Sequence, residues 1–132
     1  MDCKLFEEIA DHISGSEYEE IECRRRTSSG RYYYFIYHTV KNWLTKNHPE
    51  VINNMGGSSH EKLQFCMERL SIDRSDKKFG MLAMKLKVLH RIRVHADYYL
   101  EDEFSEGQVT MLKREKERVC ELLQELESQI NI

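Results

Sequence analysis

Between Leu82 and Leu100, apolar side chains return every three or four positions: Leu82, Leu86, Leu89, Ala96 and Leu100, with Arg93 as the one polar member of the series. That period puts the series on one face of an α-helix. A second seam of the same kind runs through Leu112, Val119, Leu123, Leu126 and Ile130, with Lys116 as its polar exception. The chain has one proline, Pro49, in 132 residues, and runs of Val, Ile and Thr are few. Together these features predict an all-α fold.

The remaining helices follow from punctuation. A first helix is expected over Asp2 to Ser14, with Leu5, Phe6, Ile9 and Ile13 on one face and Gly15-Ser16 ending it. A second runs from Glu19 or Ser28 to Asn47 and is stopped by His48-Pro49. Gly30 works against its continuity, because a mid-helix glycine costs about 1 kcal/mol relative to alanine. Residues 50–58 read as a loop, with Asn53-Asn54 and Gly56-Gly57. Ser58 followed by Glu61 reads as a capping box that opens a third helix, through Leu70. A turn at 71–76, a fourth helix from Lys77 to Tyr99 or Leu100 and a fifth from Glu106 to Ser128 complete the chain. Long helices with short connections predict an up-down antiparallel bundle of about five helices, built as a single domain over residues 1–132.

Composition excludes several classes. At 40% hydrophobic and 33% charged residues the chain is neither disordered nor membrane-embedded, and no apolar run approaches the ~20 residues of a membrane span. The N-terminus lacks the basic and apolar blocks of a secretion signal, so a cytoplasmic protein is expected. Cys3, Cys23, Cys66 and Cys120 lie far apart with no C-x-x-C pair, which argues for reduced, mostly buried thiols and against zinc. His12 and His48 read as surface residues, and nothing in the spacing of the six histidines suggests a metal site.

The net charge of −3 hides a segregation. Residues 1–22 carry eight acids and one lysine, and residues 97–132 carry ten acids and four bases. Residues 74–95 carry seven bases against Asp76, and Arg24-Arg25-Arg26 with Arg31 form a second basic cluster. Such a chain can present a basic groove to phosphate, or can pair acidic helices with basic ones inside the fold or across a dimer.

Arg31, Tyr34 and His38 are spaced i, i+3, i+7 and share a helical face, while Arg93 and Asp97, like Lys87 and Arg91, are i, i+4 pairs. An arginine in an apolar stripe needs a partner, and Asp97 lies one turn on. The pair can close the bundle, hold a phosphate, or do both. Most of the aromatic run Tyr32-Tyr33-Tyr34-Phe35 with Tyr37 belongs in the core or an interface, because a helix spreads consecutive side chains around its axis.

Two segments carry a family resemblance. Gly30-Arg31-Tyr32-Tyr33-Tyr34-Phe35-Ile36-Tyr37-His38-Thr39-Val40-Lys41 resembles the S-R-x-Y-Y-x-x-F-H-x-x-K signature of a prokaryotic branch of HEPN domains. Gly30 stands where Ser is usual and Tyr37 where Phe is usual. Leu89 to Tyr98 resembles the L-x-x-L-R-x-x-A-D-Y signature of the same branch, with Ile92 for Leu. Between them, Gly57-Ser58-Ser59-His60 resembles the loop and histidine that open the third helix. In order and spacing the likeness covers roughly residues 20 to 128.

The resemblance implies a HEPN-like helical bundle that pairs as a homodimer and binds RNA or a nucleotide. It also implies a setting among prokaryotic toxin–antitoxin or anti-phage defence systems, with a cognate antitoxin or nucleotidyltransferase as partner, no membrane and no cofactor. Cleaving members are metal-independent endoribonucleases that use an R-x(4–6)-H motif across the dimer. Here the histidine position after Arg93 is held by Tyr98, and His95 follows Arg91 after only three residues, so the strict motif is absent. A phenol of pKa ~10 is a poor base at neutral pH. The candidate catalytic set is therefore Arg93, His38, His60 and Tyr98. The candidate nucleic-acid contacts are Arg31, Tyr34, Lys41, Lys87, Arg91 and Asp97. The alternative is a non-catalytic dimerising module of the antitoxin or nucleotidyltransferase-partner kind. A plain helical adaptor without a nucleic-acid role is a third reading, set behind the others by the basic segment.

Overall fold

A computed structural model describes residues 1–16 and 20–130, and among these it contains six α-helices and no strand. They are α1 (Lys4–Ser14), α2 (Ile21–Asn47), α3 (Pro49–Asn54), α4 (Ser59–Arg74), α5 (Lys77–Tyr98) and α6 (Glu106–Ile130). The fold is an all-α bundle whose buried apolar side chains form one cluster. Among the described residues no helix is long and apolar enough to cross a membrane.

α2 is the centre of the bundle, and α1, α5 and α6 pack along it. α5 runs antiparallel to it: Arg26 meets Ala96 at one end, and Trp43 meets Phe79 at the other. α5 is also antiparallel to α4, where His60 lies beside His90, and to α6, where His95 meets Gln108 and Lys85 meets Glu115. α1 runs antiparallel to α2, with Asp11 at Tyr32 and Cys3 at Thr39. α2 and α4 consequently point the same way. The chain returns between them through α3 and residues 55–58.

That return corrects the expectation of a plain loop at 50–58. Pro49 ends α2 and then opens α3 from its first turn, where its missing N–H has no intrahelical partner to lose. α2 continues through Gly30 without a break, while Glu19, one of its two expected starts, lies outside the described residues. The 71–76 turn is shorter than expected, because α4 continues to Arg74 and ends on Ser75 in the left-handed conformation (φ 50°).

The capping box at α4 forms in part: Ser58 Oγ accepts from the Glu61 amide at 3.3 Å, while the Glu61 carboxylate accepts from the Ser58 hydroxyl at 2.7 Å rather than from its amide. A second box opens α6, where the Ser105 amide donates to Gln108 Oε1 at 2.9 Å and the Gln108 amide donates back to Ser105 Oγ.

Three burial expectations change. On α1, Leu5 and Ile9 are exposed; the inward face is Cys3, Phe6, Ala10 and Ile13. His48 is buried between Trp43 and Phe79 rather than on the surface. Of the four free cysteines only Cys66 is fully buried, and Cys23 is exposed. Lys116, the polar exception in the α6 seam, is buried against Glu7 of α1 at 2.8 Å and beneath the Tyr32 ring.

One member of the basic run of α2 is spent on structure. Arg26 is buried and closes the C-terminal end of α5, donating to the carbonyl oxygens of His95, Ala96, Tyr99 and Asp102. Its other partner is the Glu22 carboxylate, whose oxygen also accepts from the Phe104 amide. Last-turn carbonyls have no helical donor of their own, so a forked cation is a fitting cap.

Candidate functional site

The Arg93 side chain leaves the α5 stripe toward α2 and is 15% exposed. Nη2 donates to the Tyr34 hydroxyl at 3.1 Å. Nε lies 2.9 Å from Asp97 Oδ2, an ion pair in which the N–H is not aimed at the oxygen. The guanidinium carbon sits 5.5 Å from the centre of the Tyr34 ring and 5.6 Å from that of Tyr98. Arg31, one turn before Tyr34 on α2, approaches the same ring at 5.2 Å and Phe6 of α1 at 5.5 Å. Two guanidinium groups therefore share one tyrosine ring, and among the described residues only Asp97 forms an ion pair with either.

His38 lies along the same face of α2. Its ring stacks on Phe6 at 5.8 Å and 6°, and meets the edge of Tyr37 at 5.0 Å. Burial, with the Lys41 charge behind it, holds the imidazole below its usual pKa. Lys41 itself is exposed, 6.0 Å from the Tyr37 ring centre.

His60 enters from the start of α4. Its Nδ1 is 2.6 Å from the Tyr33 hydroxyl, and its ring stacks on His90 of α5 at 4.6 Å and 22°. Burial lowers the pKa of both rings. His60 is lowered further by the His90 and Arg93 charges; His90 is lowered further by Arg93 and pulled back up by Glu61. Three half-buried imidazoles, biased toward neutrality, thus border a pair of arginines. Neutral imidazole can accept a proton, and guanidinium can hold a phosphate oxygen, so the arrangement supports acid–base chemistry beside a bound anion.

Arg31, Tyr34, His38, Arg93, Asp97 and Tyr98 are thus one contiguous group, His60 adjoins it through Tyr33, and Lys41 lies at its edge. Lys87 and Arg91 are not part of it. They line a groove of about 670 Å³ on the outer side of α5, with Tyr99, Glu61 and His95 among its walls. His90 borders both places, touching Tyr33 on one side and the groove on the other.

Sequence reasoning missed His90, Tyr33 and Phe6. His90 had a readable signal, since it lies three residues before Arg93 and so on the same side of α5. Phe6 had none, because it comes from another helix. His95 is committed elsewhere: Gln108 bonds its Nδ1 at 2.8 Å, and Asp102 lies 3.4 Å from its Nε2. Among the described residues no three His, Cys, Asp or Glu side chains gather as a metal site. Compared with protein-family models, curated proteins and solved structures, the chain matches none.

Proposed function

We propose that the chain is a HEPN-like module that binds RNA or a nucleotide over Tyr34, and that it acts as a metal-independent endoribonuclease in a cytoplasmic prokaryotic toxin–antitoxin or anti-phage system. The observation that carries this reading is the convergence of Arg31 and Arg93 on one tyrosine ring, with neutral His38 alongside. Two like charges gathered on one ring, with a single half-exposed carboxylate paired to one of them, gain from an anion. A phosphodiester supplies that anion in a form that guanidinium recognises. Tyr37 and the exposed Tyr98 offer faces on which bases can stack.

In this reading His38 takes the proton of a ribose 2′-hydroxyl as its oxygen bonds to the neighbouring phosphorus, the P–O5′ bond breaks, the 5′-oxygen leaves with a proton from water, and Arg93 holds the charge that develops on the phosphate oxygens. Tyr98, in the place of the family's histidine, is a stacking surface rather than a base. The test is incubation with total cellular RNA in EDTA, beside an Arg93→Ala control. The expected result is cleavage with 2′,3′-cyclic phosphate ends that the control lacks. Intact RNA under an otherwise folded protein overturns the catalytic part.

A second reading, a non-catalytic dimerising module that carries an antitoxin or a nucleotidyltransferase, is favoured by one observation. Met81, Met84 and Met111 are exposed together on the outer α5–α6 face, around Val88 and the Lys85–Glu115 pair. Methionine-rich surfaces suit association. A concentration-independent monomer in light scattering, unchanged by Met84→Lys, would count against it.

A further inference from the structure

We propose that Tyr33 is a positioning residue that fixes the tautomer of His60: its buried hydroxyl donates to Nδ1, the ring proton stays on Nε2, and His60 meets a bound ligand as a hydrogen-bond donor, leaving His38 as the base. This rests on the reading of the Tyr34 face as the ligand site.

The argument is one of hydrogen-bond accounting. Tyr33 is 3% exposed, and among the described residues its hydroxyl has one partner, His60 Nδ1, at 2.6 Å. A phenol can donate or accept, and a neutral imidazole has one nitrogen of each kind. If Nδ1 carried the proton, it would donate to the phenol oxygen, and the phenol hydrogen would have no acceptor in a water-poor core. Stranding a buried donor is disfavoured by roughly 5- to 150-fold. If the phenol donates instead, both groups are satisfied and Nε2–H remains. Ionisation of Tyr33 offers no way out, because burial pushes its pKa well above the ordinary phenol value.

The neighbours fix the neutral state. His90 is stacked at 4.6 Å, Arg93 lies on the same side of α5, and Tyr33 and Tyr37 pack from α2. The Arg93 charge lowers both rings, and among the described residues Glu61 pulls only His90 back up. A neutral His60 with its Nδ1 lone pair occupied is not a general base. Its Nε2–H is a donor within reach of the Arg93 charge, which suits a phosphate or sugar oxygen. His38 has no hydrogen bond of its own among the described residues, so a lone pair is free to accept a proton.

The experiment is long-range ¹H–¹⁵N correlation on ¹⁵N-histidine-labelled protein at pH 8, where neutral tautomers are distinguished by their nitrogen shifts. The expected spectrum has His60 as the Nε2–H form, and Tyr33→Phe turns it into a mixture while His38 is unmoved. An Nδ1–H form in the unmodified protein overturns the proposal, whether or not the variant folds. So does a tautomer that Tyr33→Phe leaves unchanged. Addition of a short single-stranded RNA then separates this proposal from the reading beneath it. A shift of His60 Nε2–H supports the donor role. RNA that binds without moving that resonance removes His60 from the site. RNA that does not bind at all counts against the Tyr34 face while the tautomer stands on its own spectrum.

Discussion

Arg93 donates to the Tyr34 hydroxyl across 3.1 Å and so ties α5 to α2 in the middle of the charged group. The bond uses one of the five guanidinium N–H donors and leaves a planar fork for a ligand. Arg93→Ala removes the fork, and RNA affinity should fall at least about tenfold, the scale of one charge-assisted bond. Arg93→Lys should not restore it, because a point-charge ammonium lacks the planar fork that reaches Tyr34 and a phosphate side by side. Fluorescence anisotropy with a labelled oligonucleotide checks both, and helical circular dichroism should be unchanged, since Asp97 is half-exposed and tolerates losing its partner.

Salt dependence separates the two basic surfaces. If one strand spans the Tyr34 face and the outer α5 groove, each phosphate contact removed should lower the slope of log K against log salt by about 0.7. Arg31→Ala and Arg93→Ala should each do so for any RNA. Lys87→Ala with Arg91→Ala should do so only for strands long enough to pass His90. Equal effects on a dinucleotide would place all four cations at one site.

The lowered pKa values of His60 and His90 make stability depend on pH. An imidazole's ordinary pKa is about 6.5 and the folded chain holds both rings below it, so over the interval between the unfolded chain binds more protons. Stability is therefore full above about pH 6.5 and declines as pH falls toward the folded values. Urea midpoints should drop between pH 7.5 and 5.5, and His60→Gln with His90→Gln should flatten that drop. An anion bound beside the two rings reverses the sign for affinity: it stabilises their charged forms, so a phosphodiester, whose single charge is constant over this range, should bind more tightly as pH falls.

Gly30 sits in the middle of α2 facing Asp97, and a Cβ there would lie 3.8 Å from Asp97 Oδ1, an ordinary contact. Nothing steric requires glycine. Gly30→Ala should raise stability by about 0.5–1 kcal/mol through helix propensity, measured by urea unfolding. A loss of stability would mean that the α2–α5 approach is tighter than these distances.

The α5 helix was legible because one period ran unbroken from Leu82 to Ala96, and Arg93 stood out against it. Its destination was legible only in part: Asp97 is local in sequence, whereas Tyr34 lies 59 residues away. α3 was hidden because six residues are too few to show a period, and Pro49 marks a helix start as readily as a stop. Among Arg24, Arg25 and Arg26, each turned 100° from the last, only tertiary structure decides which one caps α5. The α1 face was misread because Leu5 and Ile9 outweigh Ala10 in hydrophobicity, yet the small residue is the one that lets α1 approach its neighbours.

Lys116 and Glu7 join α6 to α1 by an ion pair at 2.8 Å in which the lysine is the deeper partner, 11% exposed against 22%. Removing one charge is then not equivalent to removing the other. Glu7→Ala leaves an ammonium buried under Tyr32 and should destabilise the fold by about 1–3 kcal/mol, less than a fully enclosed pair because water reaches the carboxylate side. Lys116→Met leaves only a half-buried carboxylate that can turn to solvent, and the thioether fills the seam, so its effect should be small. Glu7→Ala combined with Lys116→Met should then be more stable than Glu7→Ala alone. Thermal unfolding of the four proteins measures the cycle. An additive result would mean that α1 is held by its other contacts, Phe6, Ala10 and the Asp11–Tyr32 bond among them, and that the acidic first helix gains nothing from the one lysine the α6 seam admits.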